Sequence, residues 1–219
     1  MAPTSGVEIG EFGALVAAAN VGDGEALTAV DRGLIRLGLA CSLPSLNKEG
    51  SQHAIAEALA VGATAQQIQE VVSLMAGLGV HSLMLTASII TGEAGMTEAD
   101  GTISLTAQEQ ALWDARVGAD PFWNRMEEEL PGFLRSMLRL SPVQFEAFFD
   151  FCAVPWKTRT VSARTKELLA MASDAMPSHR FMPGFRLHLA NAIKLGAGRR
   201  ALEECLTLAA DTPPHVGVV

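Results

Sequence analysis

The sequence predicts an all-α protein, and three observations lead to this fold class. Apolar residues recur at helical spacing over most of the chain, several segments open with residues that cap helices, and runs of alternating β-branched residues between turns are missing. With 219 residues the chain is long enough to bury a sizeable core.

The first half contains three predicted helices. Residues 25–40 carry apolar side chains at every third or fourth position, which is typical of a helix with one buried face. Thr64 is followed three residues later by Gln67, a capping box that predicts a helix start. The apolar run 73–90 contains glycines and a histidine and is near the lower length limit for crossing a bilayer, so we expect a buried helix.

The second half begins after a stretch rich in Gly, Thr and acidic residues, 91–108, which is the best candidate for a linker. Ser141 followed by Pro142 and Gln144 predicts one helix start, because proline is favoured at the first helical position. Ser162 predicts another.

The chain also repeats itself at a constant offset of 134 residues, which aligns Ala58 with Ala192 and Gly62 with Gly196. Self-similarity of this kind predicts two copies of one helical unit, 1–100 and 101–219. The second copy gains a front piece, 113–158, that holds all three tryptophans and either fills a core or covers a pocket.

Composition limits the partners. The chain has 16 basic and 24 acidic residues, a net charge of -8, so it has no excess of positive charge for phosphates or an anionic membrane. We expect no nucleic acid and no membrane as partner. A mean hydropathy of +0.25 with 18% charged residues is apolar for a soluble monomer and favours a homo-oligomer, a dimer or trimer. Residues 1–12 do not look like a secretory signal, which predicts a cytoplasmic protein.

Cysteine and histidine spacing gives no metal motif. Cys41, Cys152 and Cys205 are far apart and form no CxxC, which argues against a disulfide framework and a thiolate metal site. The five histidines form neither HxH nor HExxH. We therefore expect neither a metal nor another cofactor.

A resemblance to a known family rests on three consecutive segments. An "ARTKELLAMAS" helix, a helix with His188, Ala192 and Gly196, and a capped helix with "ALEECL" resemble the carboxymuconolactone decarboxylase and alkylhydroperoxidase D-like (AhpD-like) superfamily. The resemblance covers residues 25–90 and 140–219 as a tandem pair and implies the AhpD-like helical fold.

The family has two chemistries, and the resemblance discriminates between them. Its peroxidases use a CxxC motif whose positions fall on Phe181 and Gly184 here, and on Asn47 and Gly50 in the first copy. Without those thiols an alkylhydroperoxidase is the least favoured function. Its decarboxylases lack the cysteines and keep the histidine helix, as this chain does.

The resemblance thus implies a carboxymuconolactone decarboxylase-like carboxy-lyase acting on a small carboxylated or lactone metabolite. Such chemistry releases carbon dioxide, collects electrons in an enolate-like system and delivers a proton to carbon, which requires a proton donor and a cation near the substrate carboxylates. The alternative is a non-catalytic small-molecule-binding or accessory protein of the same fold.

His188 and Glu167 are the first two candidate catalytic residues. If its helix starts near Pro183, His188 shares an inward stripe with Phe185 and Ala192, where an imidazole can exchange protons near neutral pH. The alternative is a core histidine without chemistry. The resemblance implies that Glu167 relays protons to the site, whereas its alternative is a solvated glutamate beside Lys166.

The loop before this helix and the aromatic piece supply the remaining candidates. His179, also a candidate catalytic residue, and Arg180 precede a helix N-terminus, which favours contact with a substrate carboxylate. Arg186 has donors suited to a carboxylate, but it lies about 200° around the helix from His188 and is expected to face elsewhere. Trp156 is a candidate substrate contact in a partly apolar pocket.

The first copy lacks these residues. His188 aligns with Ala54 and Glu167 with Gly33, while His53 is expected to form a surface pair with Glu57, four residues on. We therefore expect the first copy to be structural and to stand in for a second subunit. His81 and His215 recur at equivalent positions, for which an inherited packing or interface role is expected.

Overall fold

A computed structural model describes residues 7–218, and within that range it contains helices and no β-strand, so the all-α prediction is confirmed. The first half holds α1 (Phe12–Ala18), α2 (Ala29–Cys41), α3 (Lys48–Ala60), α4 (Ala65–Ala76) and α5 (His81–Glu93), with a 3-10 turn at Gly77–Val80. The second half holds α6 (Ala107–Arg116), α7 (Pro121–Glu129), α8 (Phe133–Leu140), α9 (Pro142–Thr158), α10 (Ala163–Ala175), α11 (Met182–Lys194) and α12 (Arg199–Ala210).

The chain forms two compact units. One comprises Met1–Leu78 with Pro155–Val219, and the other comprises Gly79–Val154. The predicted linker 91–108 lies inside the second unit, between α5 and α6. The predicted halves 1–100 and 101–219 describe an internal duplication rather than compact units, and they stay a prediction.

The first unit is built from two sets of three helices with matching bounds. Helices α10, α11 and α12 begin and end 134 residues after α2, α3 and α4, which is the offset of the sequence repeat. Below, the first repeat means α2 to α4 and the second repeat means α10 to α12. The turns match as well, since Gly62 and Gly196 both have positive φ, at 98° and 86°. A left-handed residue after a helix favours glycine because glycine has no Cβ.

Two ion pairs join the repeats reciprocally. Lys166 of α10 approaches Glu70 of α4, with Nζ and Oε1 2.5 Å apart, and Arg32 of α2 pairs with Glu204 of α12. Position 166 is equivalent to 32, and 204 to 70. Each repeat therefore contributes a cation from its first helix to an acid on the third helix of the other repeat.

Local capping explains most helix starts in this unit. The predicted capping box of Thr64 and Gln67 is present, and Ser162 accepts a hydrogen bond from the amide of Thr165. The expected helix 25–40 is too long at its start, because Thr28 caps α2 by accepting from the amide of Asp31 at 3.0 Å. Residues 25–28 precede the helix and have no regular secondary structure.

The aromatic front piece forms most of the core of the second unit. Phe133, Phe145 and Phe148 are fully buried, and the Trp123 ring packs edge-on against Phe148 and Phe149. Edge-on aromatic pairs add to the stabilisation given by burial alone. Of the two expected roles, this part of the piece therefore fills a core.

Helix α5 corrects one prediction. The run 73–90 is helical, but its α5 part buries Met84 and Ala87 while it exposes an apolar face formed by Leu85, Ile89 and Ile90. The 29-residue helical stretch Ala65–Glu93 contains an 18-residue window with a mean hydropathy of 1.6 and could cross a membrane by length and composition alone. Core helices of soluble proteins have the same properties, so these two criteria do not identify a membrane span.

Candidate acid–base site

His188 and Glu167 form a hydrogen-bonded pair between α10 and α11. Nδ1 of His188 lies 2.7 Å from Oε2 of Glu167, and the Asn191 amide donates to the other carboxylate oxygen at 3.3 Å. Glu167 is 5% exposed and the His188 side chain 14%. The two candidate residues therefore contact one another and Glu167 is buried rather than solvated, while their catalytic roles stay a prediction.

Helix geometry explains why these side chains meet. On α11, Gly184, His188 and Asn191 are spaced by four and three residues, so they lie along one stripe. On α10, Glu167 and Asp174 are seven residues apart and share a face. The two helices run antiparallel, with Glu167 opposite His188 and Asp174 opposite Gly184.

The surroundings of His188 favour its protonated form. Burial lowers the pKa of His188, but the hydrogen bond to Glu167 and the negative charges of Glu167 and Asp174 outweigh this effect and raise the pKa above the ordinary value. The Glu167 carboxylate also fixes the ring orientation through its contact with Nδ1.

Asp174 is a residue of the site that the sequence did not reveal. It is 1% exposed, and its Oδ1 lies 3.6 Å from Nε2 of His179. Burial raises its pKa, an effect partly offset by the hydrogen bond of His179 and the charges of His188 and His179. The seven-residue spacing from Glu167 was the one available sequence signal, because it places both acids on one helix face.

The two arginines of the site prediction contact the N-terminal segment. Nη1 of Arg180 donates to the carbonyl oxygen of Glu8 at 3.1 Å, and Nη1 of Arg186 lies 3.1 Å from Oε1 of Glu11. Their guanidinium groups therefore hold residues that precede and begin α1. Contact with a substrate stays a prediction for both residues.

Trp156 lies beside a different buried group. The Nζ atom of Lys166 is 5.1 Å from the centroid of the Trp156 ring, a cation–π distance, and it donates to the Pro155 carbonyl oxygen at 2.8 Å. Lys166 precedes Glu167 in sequence, and its ammonium pairs with Glu70. The proposed substrate contact of Trp156 stays a prediction.

The first repeat has no equivalent acid–base pair. Ala54 and Gly33 occupy the positions of His188 and Glu167, and both are buried. The predicted pair of His53 and Glu57 is confirmed, with Nε2 and Oε1 3.2 Å apart on the surface of α3. His81 begins α5, and His215 is exposed after α12. The packing or interface role expected of these two histidines stays a prediction.

The cysteines are poorly suited to thiolate chemistry. Burial raises the pKa of Cys41 to about 11 and that of Cys152 to about 12, and it also raises the pKa of Cys205. A reactive thiol needs a lowered pKa, because the thiolate is the nucleophile.

The side chains that could hold a metal in this unit are Asp174 and His179. A carboxylate and an imidazole both bind transition metals, and Oδ1 of Asp174 lies 3.6 Å from Nε2 of His179.

Comparison with known proteins bears on the fold. No protein-family model matches the sequence, and no curated protein matches it. The three-dimensional comparison assigns an all-α fold of the carboxymuconolactone decarboxylase and AhpD-like class. One similar crystal structure is that of a Burkholderia xenovorans LB400 protein provisionally named a gamma-carboxymuconolactone decarboxylase subunit. It is 27% identical over 84% of this chain and 72% of its own, with a TM-score of 0.69.

Proposed function

We propose that this chain is a carboxymuconolactone decarboxylase-like carboxy-lyase that acts without a cofactor on a small carboxylated or lactone metabolite. The observation that carries the proposal is the 2.7 Å contact between His188 and Glu167, buried yet not sealed from solvent. The provisional name of the similar Burkholderia protein supports the same class.

In the proposed reaction His188 supplies the proton. The bond between the substrate carbon and its carboxylate breaks, carbon dioxide leaves, and the electron pair stays in an enolate-like system. Nε2 of His188 then donates its proton to that carbon, and water restores the proton. Glu167, proposed from the resemblance as a proton relay, contacts Nδ1 of the same ring, where its negative charge stabilises the imidazolium that makes the donation possible.

The substrate carboxylates are proposed to lie near the start of α11. His179 and Arg180 precede this helix, whose first amide groups carry a partial positive charge. Arg180 already donates to the Glu8 carbonyl oxygen. In the proposed complex the substrate carboxylate would therefore interact with the positive charge of the Arg180 guanidinium and with its remaining N–H donors.

A non-catalytic binding protein of the same fold is the second candidate. The first repeat supports this candidate, because its three helices match those of the second repeat although Ala54 and Gly33 replace His188 and Glu167. The helical unit therefore persists without the acid–base pair. The convergence of His188 and Glu167, with the imidazole 14% exposed, favours the enzyme. A sealed or separated pair would have favoured the binding protein.

The first repeat is proposed to replace a second subunit. The exchanged ion pairs support this, because residue i contacting residue j while j contacts i is the pattern of a two-fold dimer interface. Further assembly into a homo-oligomer is supported by the apolar face of Leu85, Ile89 and Ile90. A cytoplasmic location is part of the same proposal.

The proposal is tested by measuring carbon dioxide release from a panel of lactones with attached carboxylates and β-keto acids. We expect release from at least one panel member by the wild-type chain and none by His188→Asn. A dithiol-dependent peroxide assay run alongside should give no consumption. Saturable ligand binding without turnover across the panel would favour the binding protein.

Metal removal is expected to leave the reaction unchanged. The proposed steps use only an imidazole and a carboxylate, so dialysis against a chelator should not lower kcat on the substrate found in the panel. The matched control is a dialysed sample to which zinc is returned. Loss of turnover with the chelator and recovery with zinc would contradict the cofactor-independent mechanism.

A further inference from the structure

Asp174 is a buried acid to which the proposed reaction assigns no step. It lies two turns after Glu167 on the same face of α10 and is 1% exposed. Gly184 lies directly against it, since a Cβ atom at Gly184 would overlap Oδ2 of Asp174 and come within 2.9 Å of the Phe181 ring. The carboxylate therefore occupies space that only glycine leaves open on α11.

The fold itself does not require an acid at this position. Ala40 is the equivalent residue of the first repeat, 2% exposed, at the same place in α2. The backbone contacts match: Phe181 N donates to Asp174 O at 3.0 Å, and Asn47 N donates to Ala40 O at 3.3 Å. Burying a carboxylate is unfavourable unless it is paired, and the partner of Asp174 is His179, whose equivalent in the first repeat is the uncharged Ser45.

The acid belongs to a group of side chains confined to the second repeat. Asp174 is accompanied there by Glu167, His179 and His188. The equivalent positions of the first repeat hold small residues without a formal charge, namely Gly33, Ala40, Ser45 and Ala54. The two acid–imidazole pairs therefore occur together in one repeat and are both missing from the other.

We infer that Asp174 is a positioning residue of this site, which orients His179 and, with Glu167, places a second carboxylate on the face of α10 that lies opposite His188. The inference deepens the proposed function and rests on it for the identity of the proton donor. Glu167 and Asp174 of α10 act on His188 electrostatically, and Asn191 of α11 donates to the same Glu167 carboxylate.

The charges of Asp174 and His188 are mutually dependent. The negative charge of Asp174 raises the pKa of His188, and the charge of His188 partly offsets the rise that burial causes in the pKa of Asp174. Groups that interact in this way titrate as a set, so removing one of them shifts the titration of the others. This coupling gives Asp174 a measurable signature apart from turnover.

The test follows the His188 ring by NMR during a pH titration, in the wild type and in two variants. Asp174→Asn keeps the shape and removes the charge, while Asp174→Ala introduces the residue that the first repeat carries. We expect a downward shift of the His188 midpoint in both. Glu57→Gln, which removes the carboxylate beside His53, is the matched control and should leave His188 unchanged.

An unchanged His188 midpoint in Asp174→Asn would overturn the inference. If Asp174→Ala does not fold, the isosteric asparagine variant still decides the question. Failure of the proposed function is a separate outcome, because absence of carbon dioxide release by the wild type leaves the NMR titration unaffected. With a substrate in hand, Asp174→Asn should lower kcat with little change in KM, as expected when proton donation rather than binding is weakened.

Discussion

Replacing His188 by Ala is expected to remove turnover while the chain keeps its helical fold. The loss should be about 10² to 10⁴-fold, the usual contribution of a positioned general acid. Folding should persist because Ala54 occupies the equivalent position of α3, a helix of the same length in the first repeat. The measurement is kcat on the panel substrate, with far-UV circular dichroism to verify helicity.

Two further variants make this prediction specific to the pair. His53→Ala changes an exposed histidine of the first repeat and should leave kcat unchanged. Glu167→Gln keeps the shape but removes the charge that favours the protonated imidazole, so kcat should fall and the pH above which activity is lost should move down. Full activity in His188→Ala would remove His188 from the mechanism and favour the binding protein.

Local sequence patterns predict most of the helical framework. Thr64 with Gln67 and Ser162 fix helix starts through hydrogen bonds within three residues, so the sequence alone suffices to place them. The start of α2 was misplaced because apolar spacing continues through Leu27, whereas the Thr28 cap decides the boundary. A cap residue outweighs periodicity at a helix end, where backbone amides lack helical partners.

Contacts between distant segments were less predictable. Glu167 and His188 were expected to meet because the family resemblance links them. Asp174 was missed because nothing local distinguishes a buried helix acid from a solvated one. Arg180 bonds to Glu8 and Arg186 to Glu11, which in both cases joins residues more than 170 positions apart. The charge of an arginine does not predict which distant residue it will contact.

The largest stability effect is expected at Lys166, whose ammonium is buried with Glu70. Lys166 is 3% exposed, and replacing it by Met leaves the Glu70 carboxylate buried without its cation. Removing one partner of a buried pair costs about 3 to 5 kcal/mol. The free energy of unfolding, measured by denaturant titration, should fall by this amount.

The first repeat supplies the matched control, because Arg32 and Glu204 form the equivalent pair with side chains 37% and 23% exposed. Solvent screens such a pair, so Arg32→Met should cost only about 0 to 1 kcal/mol. Adding Glu70→Gln to Lys166→Met should restore part of the loss, because the buried charge is then gone. Equal losses of unfolding free energy in Lys166→Met and Arg32→Met would contradict the larger stabilisation expected from the buried pair of Lys166 and Glu70.

Acid should reproduce part of the Lys166 effect. Burial raises the pKa of Glu70, but hydrogen bonds from Lys166, Thr160 and Thr158 outweigh it and lower the pKa to about 2. Because the folded-state pKa is depressed, the stabilisation is complete above the unfolded value of about 4.3 and is lost as the pH falls towards 2. In Lys166→Met the pKa of Glu70 should rise towards the unfolded value, so this acid-dependent loss should shrink.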